Sequence, residues 1–412
     1  MKKKRIFLMT AIAVCIVLMG VLTGLYVSKE PKKSTNEETS VSEKTSKEKT
    51  IDSLTDIEKK IAGIDTENIK TADDDIKEEN YSQVYKEYLK LLEEDDSDRE
   101  IIPRKQDVPI EKIEEIKDII NDNGDTIPES FNLADKIDIK VEDQGMYGLC
   151  WDFASIKSLE THLALNNLGN YDLSEMHLDY IESDLMYGYR QLHNGGNFYN
   201  FKNYISESGV VLESDVPYRE HTEEEYNKFP DMDNVVIVTE TVDFPSIYKG
   251  ENSNYTDEEI AEFRETVKRH IMTNGGLYCG IATPDWGTKY FNDRNSAECF
   301  LGDYNDLSKG REFHAVTIVG WDDNYPKENF NEGMRPQNDG AYIFLNSWGT
   351  MYGKQGYYYI SYEDKYVESD LSGIISTSMD NAYKISSIKN QGIKNYLVNN
   401  YRHLFKKYDG ED

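Results

Sequence analysis

The sequence QGMYGLCWDFAS at residues 144–155 is the most informative stretch of the chain. It places one thiol, Cys150, where a helix is predicted to begin. The helical pattern continues to about Asn166, and Gly169 just beyond it is a typical stop. A thiol attacks a carbonyl only as its thiolate, which the positive end of a helix dipole stabilises. A lone cysteine is usually an inert small hydrophobe, but the helix start and the preceding Gln144 make Cys150 a candidate nucleophile.

Two later segments supply the other groups that such a nucleophile needs. FHAVTIVGW at 313–321 carries His314 at the start of a β-rich half of the chain, and FLNSWGTMYGKQGYYYISYED at 344–364 carries Asn346 at a predicted strand end. An imidazole acts as a general base when another group orients it. The order of the three residue types therefore indicates nucleophilic attack on a carbonyl group.

Taken together, these segments resemble the nucleophile, histidine and asparagine segments of papain-family cysteine peptidases. Between them, LSE at 173–175, NGGNF at 194–198 and ESDVPY at 213–218 follow the family's order. IPESFNLADK at 127–136 is similar to the start of the mature enzyme. The resemblance covers about residues 127–378 and is closest to secreted bacterial members.

The resemblance implies a role for each matching residue. Cys150 is the expected nucleophile, and His314 is the expected general base and later the acid for the leaving amine. Asn346 is expected to orient the imidazole, with Trp348 shielding that hydrogen bond from water. The side chain of Gln144 and the backbone N–H of Cys150 are expected to form the oxyanion hole.

A second set of residues is expected to bind substrate. Gly195, Gly196 and Asn197 match the family segment that pairs with the substrate backbone, and glycine permits close approach of another main chain. The two glycine residues also suit an ordinary loop. Phe313 stands where relatives often have Asn or Asp, so we expect it to narrow the binding site. Neither a metal nor an organic cofactor is implied.

Several positions depart from the family pattern. Tyr147 stands where many relatives have a disulfide cysteine, and Leu149 stands where serine is common. Asp152 replaces a small apolar residue, and a carboxylate two positions beyond the thiol is able to raise the thiol's pKa. Side chains two positions apart on a helix do not face each other. We therefore predict that Asp152 points away from the sulfur of Cys150 and that the enzyme works.

The pattern of elements predicts an α+β fold. Ser174 is a predicted helix cap, and Thr256 with Glu259 forms a capping box before a helix that Gly275 ends. Helices thus come first and strands second, which indicates two lobes. The resemblance implies a two-lobed papain-like fold with a helical left lobe and a β-barrel-like right lobe. The predicted strands are Cys279–Ala282, Ala315–Trp321, Ala341–Leu345, Tyr357–Tyr362 and Gly373–Thr377.

Charge and the N-terminus bear on location. The 412 residues carry a formal net charge of −31, which argues against nucleic-acid binding through a basic face. Residues 2–5 are basic, and the run at 6–27 contains no charged side chain. About 20 such residues cross a bilayer, with the basic flank inside. We expect residues 1–27 to be a signal-anchor or a signal peptide, so that the protein acts on the extracellular side, membrane-anchored through 6–27 or secreted.

The rest of the chain divides by composition. Residues rich in Ser, Thr, Lys and Glu predict a disordered stalk, and an acidic, helical segment after it predicts a pro-region or a spacer. Sequence alone leaves those two alternatives open. The predicted parts are 1–27 (signal-anchor or signal peptide), 28–50 (stalk), 51–126 (pro-region or spacer), 127–378 (papain-like peptidase domain) and 379–412 (C-terminal extension).

The cysteine count allows one disulfide. Four cysteines are present, and none forms a CxxC pair. Cys15 lies in the apolar N-terminal run, which leaves Cys279 and Cys299 beside the candidate nucleophile. We predict a disulfide between Cys279 and Cys299, because an extracellular compartment favours one. Two unpaired buried thiols are the alternative.

Three functions are compatible with these features. The first is an endopeptidase that cleaves peptides or proteins through an acyl-enzyme. The second is a papain-like binding or adhesion module at the cell surface, in which Asp152 has disabled the thiol. The third is another acyl transfer on the same scaffold, but such enzymes generally use Asp as third member, which Asn346 disfavours. The presence of Cys150, His314, Asn346 and Gln144 together argues against the binding module and favours the endopeptidase.

Overall fold

A computed structural model describes the domain around these motifs and parts of the segment before it. The described residues are 82–86, 89, 103–104, 107–120, 124–183, 185–186, 190–207, 209–229, 232, 234–249, 255–283, 290–302 and 313–378. The predictions for 1–27, 28–50 and 379–412 fall outside these residues. Within the described ranges, no helix is both long and apolar enough to cross a membrane.

The helices begin where capping side chains are available. Ser174 accepts a hydrogen bond from the backbone N–H of His177, and Thr256 forms the predicted capping box with Glu259. Each such cap satisfies backbone donors that a helix start leaves without an internal acceptor. The helices are α1 (Ile113–Ile119), α2 (Cys150–Leu165), α3 (Glu175–Ile181), α4 (Phe198–Glu207), α5 (Glu223–Tyr226) and α6 (Asp257–Asn274).

The strands form one sheet within the described residues. They are β1 (Ser130–Asn132), β2 (Ile237–Asp243), β3 (Leu277–Ala282), β4 (Phe291–Asn292), β5 (Ala297–Glu298), β6 (Phe313–Asp322), β7 (Ala341–Leu345), β8 (Tyr357–Ser361) and β9 (Leu371–Ser378). Their order is β2-β9-β3-β6-β7-β8-β5-β4, and β1 pairs with β6. All pairs are antiparallel except β5 with β8. Helices on one side and this sheet on the other confirm the α+β papain-like fold.

Helix α2 lies between the two lobes and is buried on nearly all sides. One face joins the hydrophobic cluster of the helical lobe, and the other packs against β3, β6 and β9. Polar side chains of α2 also bond across the boundary. Ser158 Oγ donates to Gly276 O at 2.6 Å, and Thr317 Oγ1 donates to Ala154 O at 3.3 Å. These contacts hold the start of α2 in a fixed position relative to β6.

Part of the segment before residue 127 packs on the sheet lobe. Ile113, Ile116 and Ile120 are buried in the same cluster as Phe263 of α6. At the edge of this contact, Lys117 of α1 forms an ion pair with a carboxylate of α6. The apolar face of α1 is therefore buried against the sheet lobe.

The predicted disulfide between Cys279 and Cys299 is wrong. Both thiols are free and fully buried, and they belong to two different hydrophobic clusters. Cys279 lies in the interior strand β3, where its Sγ donates to Val367 O at 3.3 Å. Burial raises the pKa of both thiols, so they remain protonated and unreactive. The spacing of Cys279 and Cys299 in the sequence permits a disulfide, but it does not show which hydrophobic cluster each side chain joins.

Candidate active site

Cys150 is the first residue of α2 and is completely buried. The backbone N–H of Ala315 in β6 lies 3.4 Å from Cys150 Sγ, so the sulfur is located against the strand that carries His314. The positive end of a 16-residue helix faces the thiol. A helix start and a backbone donor both favour the negatively charged thiolate over the neutral thiol.

His314 is oriented by Asn346. The Nε2 of His314 lies 2.8 Å from Oδ1 of Asn346, and the backbone N–H of Ser347 donates to the same oxygen at 2.8 Å. Because a backbone N–H only donates, the atom it meets must be the amide oxygen. The Nε2 of His314 therefore carries a hydrogen, which leaves Nδ1 as the basic nitrogen of the neutral ring.

Aromatic residues surround this hydrogen bond. The rings of Trp348 and His314 have centroids 4.8 Å apart and planes inclined by 33°. The hydroxyl of Tyr358 in β8 interacts with the side chain of Asn346. Both His314 and Asn346 are almost completely buried. Excluding water strengthens the electrostatic interaction between imidazole and amide.

Gln144 is held by the segment that follows Asn346. Its backbone N–H donates to Ser347 O at 2.8 Å, and its Oε1 accepts from Ser347 Oγ at 2.6 Å. Its Nε2 donates to Tyr147 O at 2.8 Å. Since a primary amide has two N–H groups, one remains to stabilise an oxyanion.

The glycine segment packs directly on the helix of the nucleophile. A Cβ atom on Gly196 would lie 2.6 Å from Cε2 of Trp151, which is closer than real side chains approach. The indole N–H of Trp151 donates to Asn194 O at 3.2 Å. Gly195 and Gly196 are both buried. Pairing of these glycine residues with a substrate backbone stays a prediction.

The other two residues expected at the binding site have structural contacts. Asn197 Oδ1 accepts from the backbone N–H of Tyr199 at 2.9 Å, which caps the start of α4. The ring of Phe313 is buried against Tyr366, with centroids 5.8 Å apart. Contact of Asn197 and Phe313 with substrate therefore also stays a prediction.

Asp152 occupies the first turn of α2 and is fully buried. Among the described residues, no donor meets ordinary hydrogen-bond geometry at either carboxylate oxygen, although the backbone of Asp179 slightly favours the charged form. Burial raises its pKa well above the ordinary value, and the charge of Asp179 adds to this, while Arg190 opposes it. Burial therefore favours the neutral form of this carboxyl group, which weakens the charge that it exerts on the thiol.

The structure thus brings together the candidate nucleophile, base, orienting amide and oxyanion donor. Three contacts in this group were not predicted from the sequence: the N–H of Ala315 at the sulfur, the Ser347 bonds to Gln144 and Asn346, and the Tyr358 hydroxyl. Ser347 and Tyr358 lie in motifs that were recognised. Their contacts depend on strand pairing, which the motifs alone do not specify.

Comparison with known proteins agrees with this geometry. The model of a family described as papain family cysteine protease matches residues 127–378, which is more than half of the chain. The chain belongs to this family.

Individual relatives are distant. A viral cathepsin of Rachiplusia ou multiple nucleopolyhedrovirus is 27% identical over 225 residues, which are 53% of this chain and 54% of that protein. The chain thus spans about half the length of the curated relatives it matches. The crystal structure of the cysteine protease and lectin-like domains of Cwp84, a surface layer associated protein of Clostridium difficile, has a TM-score of 0.56 and 27% identity. That match covers 73% of this chain and 61% of the chain in the Cwp84 structure. A second Cwp84 structure, of a variant after propeptide cleavage, has a TM-score of 0.50 and 28% identity, covering 62% of this chain and 60% of that one.

Proposed function

We propose that the chain is a cysteine endopeptidase that uses Cys150, His314 and Asn346. The thiolate of Cys150 attacks the carbonyl carbon of a peptide bond, and the oxyanion formed is stabilised by Gln144 and the backbone N–H of Cys150. The imidazolium of His314 then gives its proton to the leaving amine as the C–N bond breaks. Water, deprotonated by His314, attacks the thioester. The C–S bond breaks, and the thiolate is regenerated.

The hydrogen bond between His314 Nε2 and Asn346 Oδ1 is the observation that carries this proposal. It leaves Nδ1 of the same ring as the basic nitrogen in a strand whose next N–H contacts the sulfur of Cys150. A binding protein has no need for an oriented, shielded imidazole beside a helix-start thiol. The arrangement is the one that a thiolate–imidazolium pair requires.

Replacing Cys150 with Ala tests the proposal. We expect peptide hydrolysis to be abolished while the thermal unfolding midpoint changes little, because one sulfur removed from a helix start costs little packing. Cys299→Ala is the matched control, since it removes a buried thiol outside the site and should retain activity. Equal hydrolysis by Cys150→Ala and the parent chain would refute the assignment.

A binding or adhesion module is the second candidate, and Asp152 is the feature that favours it. A charged carboxylate in the first turn of α2 would disfavour the thiolate. Burial raises the pKa of Asp152 well above its ordinary value, which favours the neutral form and so weakens this effect on the thiol. The endopeptidase therefore remains the better-supported function.

We further propose that the enzyme acts outside the cell membrane. The basic residues 2–5 and the uncharged run 6–27 support a membrane anchor or a cleaved signal, and Cwp84 is described as surface-layer associated. Residues 51–126 would serve as a pro-region. Fractionation of cells expressing the full chain tests the location: protein in the cytosol with an intact N-terminus would contradict it.

A further inference from the structure

Arg104 lies in the segment before the peptidase domain, yet its side chain is only 4% exposed. One terminal nitrogen, Nη1, donates to Phe244 O at 3.0 Å. The other, Nη2, donates to Asp370 Oδ1 at 3.0 Å, to Leu371 O at 2.9 Å and weakly to Ser372 Oγ at 3.3 Å. These acceptors, here called the Arg104 pocket, belong entirely to the peptidase domain.

The Arg104 pocket is acidic. Asp243 also faces it, but Asp243 has a second cation because Lys202 pairs with it, and Ser372 Oγ donates to it at 2.8 Å. Asp370 has Arg104 as its salt-bridge partner among the described residues. Burial raises the pKa of Asp370, and the guanidinium opposes that shift. Without Arg104, the pocket would hold a buried carboxylate that has lost this ion pair, which is an unfavourable state.

The pocket adjoins the candidate active site. The carbonyl of Asp370 accepts from the N–H of Gly280 in β3 at 2.9 Å. Gly280 pairs with Ala315, whose own N–H contacts the sulfur of Cys150. A Cβ on Gly280 would lie 2.9 Å from Asp370 Oδ2, so the absent side chain leaves room for that carboxylate. The pocket is therefore one strand away from the strand at the nucleophile.

The helix beside the pocket follows the glycine segment. Tyr199 and Lys202 of α4 both act electrostatically on the groups of the Arg104 pocket. Because α4 begins directly after Asn197, the helix beside the pocket starts at the end of the glycine segment. A peptide that runs along Gly195 and Gly196 would approach the start of this helix, whose Lys202 pairs with Asp243.

We propose that the Arg104 pocket is an arginine-binding specificity site, which Arg104 fills in the intact chain and an arginine side chain of a peptide substrate fills when the segment is displaced. This rests on the proposed peptidase function. Asp370 is its specificity-determining residue. A guanidinium suits it better than an ammonium, because its two terminal nitrogens reach acceptors on opposite sides, on Phe244 and on Asp370 with Leu371.

Ligand binding to an inactive full-length chain is the first test. In Cys150→Ala/Arg104→Ala, N-acetyl-arginine methylamide should raise the unfolding midpoint, while the lysine and citrulline analogues should raise it much less. Adding Asp370→Asn should remove the effect, and Cys150→Ala with Arg104 intact should show none. Equal shifts with arginine and citrulline analogues would overturn the proposal. Arg104→Lys, which keeps the charge, serves if Arg104→Ala does not fold.

Substrate preference is the second test. Peptides with one arginine moved through the positions flanking the cleaved bond are compared with norleucine peptides, using the full chain. Arg104→Ala should raise the arginine-to-norleucine ratio of kcat/KM at least about tenfold at one position, and Asp370→Asn should cancel the gain. Lys112→Ala is the control, since Lys112 lies in the same segment but is exposed and pairs with Glu115.

These results separate the two proposals. An unchanged ratio in Arg104→Ala would show that Arg104 only anchors its segment, and would overturn the specificity site while hydrolysis itself remained. Failure of every variant to hydrolyse any peptide would overturn the endopeptidase. The binding experiment does not depend on catalytic activity, so it would then test arginine binding in the Arg104 pocket by itself.

Discussion

At the scale of single residues, Asn346 has the most testable role. Asn346→Ala removes the oxygen that accepts from both His314 and the backbone of Ser347. A misplaced imidazole should lower kcat on the order of 10²-fold, while KM changes little. Cys150 should still react with an epoxide peptide, though more slowly. Asn324→Ala, on the exposed turn after β6, is the control.

An unchanged kcat in Asn346→Ala would show that strand β6 and Trp348 alone orient the ring. Complete loss of labelling at Cys150, with the chain still folded, would instead assign to Asn346 a part in forming the thiolate. Either result would require a different account of the hydrogen bond between imidazole and amide.

Asp152 gives a prediction about pH. Its pKa is raised in the folded chain, so it binds its proton more tightly there than in the unfolded chain. Its contribution to stability is complete below the unfolded pKa, which is ordinarily about 4, and is lost as pH rises toward the folded pKa. Asp152→Asn should therefore raise the unfolding midpoint more at pH 7 than at pH 4.

The same variant should change kcat/KM by less than about tenfold, which is roughly 1.4 kcal/mol in the barrier. A gain of several hundredfold would show that the native carboxylate suppresses the thiol. The binding-module function would then be the better account. A larger midpoint rise at pH 4 than at pH 7 would contradict the raised pKa.

At the scale of elements, the contact between the glycine segment and α2 is the most sensitive. Gly196→Ala places a methyl group against the ring of Trp151, so either the glycine segment or the helix start must move. Overpacking of this kind costs about 1–3 kcal/mol of stability. We expect kcat/KM to fall about tenfold or more, because the shift lies beside the nucleophile.

Gly333→Ala is the matched control for this substitution, because a Cβ there meets no atom within 4 Å. It should leave both the unfolding midpoint and the rate near those of the parent chain. If Gly196→Ala behaves like this control, the glycine segment moves freely against Trp151, and the close contact between Gly196 and Trp151 does not contribute to activity.

The elements also show what the sequence was able to predict. The start of α2 and the capping box of α6 follow from local residues, and the structure has both. The strand β2 was not predicted, because Ile237–Asp243 lack a regular alternation of buried and exposed positions: Thr239 and Glu240 are both exposed. Its pairing with β9, far along the chain, decides its conformation. The local sequence pattern predicts an element only where the hydrogen bonds of its backbone are made to nearby residues.

At the scale of the whole molecule, the motifs identified the site but not its surroundings. Cys150, His314 and Asn346 were predicted because each lies in a short recognisable segment. The raised pKa of Asp152 results from burial and from the charge of Asp179, with Arg190 opposing it, and these groups come together only in the folded chain. The unpaired state of the two other described cysteines likewise depends on which cluster each enters.

Buried ion pairs occur both within the sheet lobe and between that lobe and the segment that precedes the peptidase domain. Buried ions such as Glu368 are paired within the sheet lobe by Arg264 and Lys249, whereas Asp370 is paired by a residue from outside the domain. Removing one partner from a buried ion pair is strongly destabilising. Binding of the segment to the domain therefore depends on the charge of Asp370. The arrangement makes Arg104 the residue through which the segment would influence the site.

Covalent labelling of Cys150 in the full chain tests the central claim most directly. After reaction with an epoxide peptide at neutral pH, intact mass and peptide mapping should show one adduct, located on Cys150. Labelling should be lost in Cys150→Ala and slowed strongly in His314→Ala, whereas Cys279 and Cys299 should stay unmodified in the folded protein. Absence of an adduct on Cys150, or equal labelling of Cys150, Cys279 and Cys299, would contradict an activated nucleophile at the start of α2.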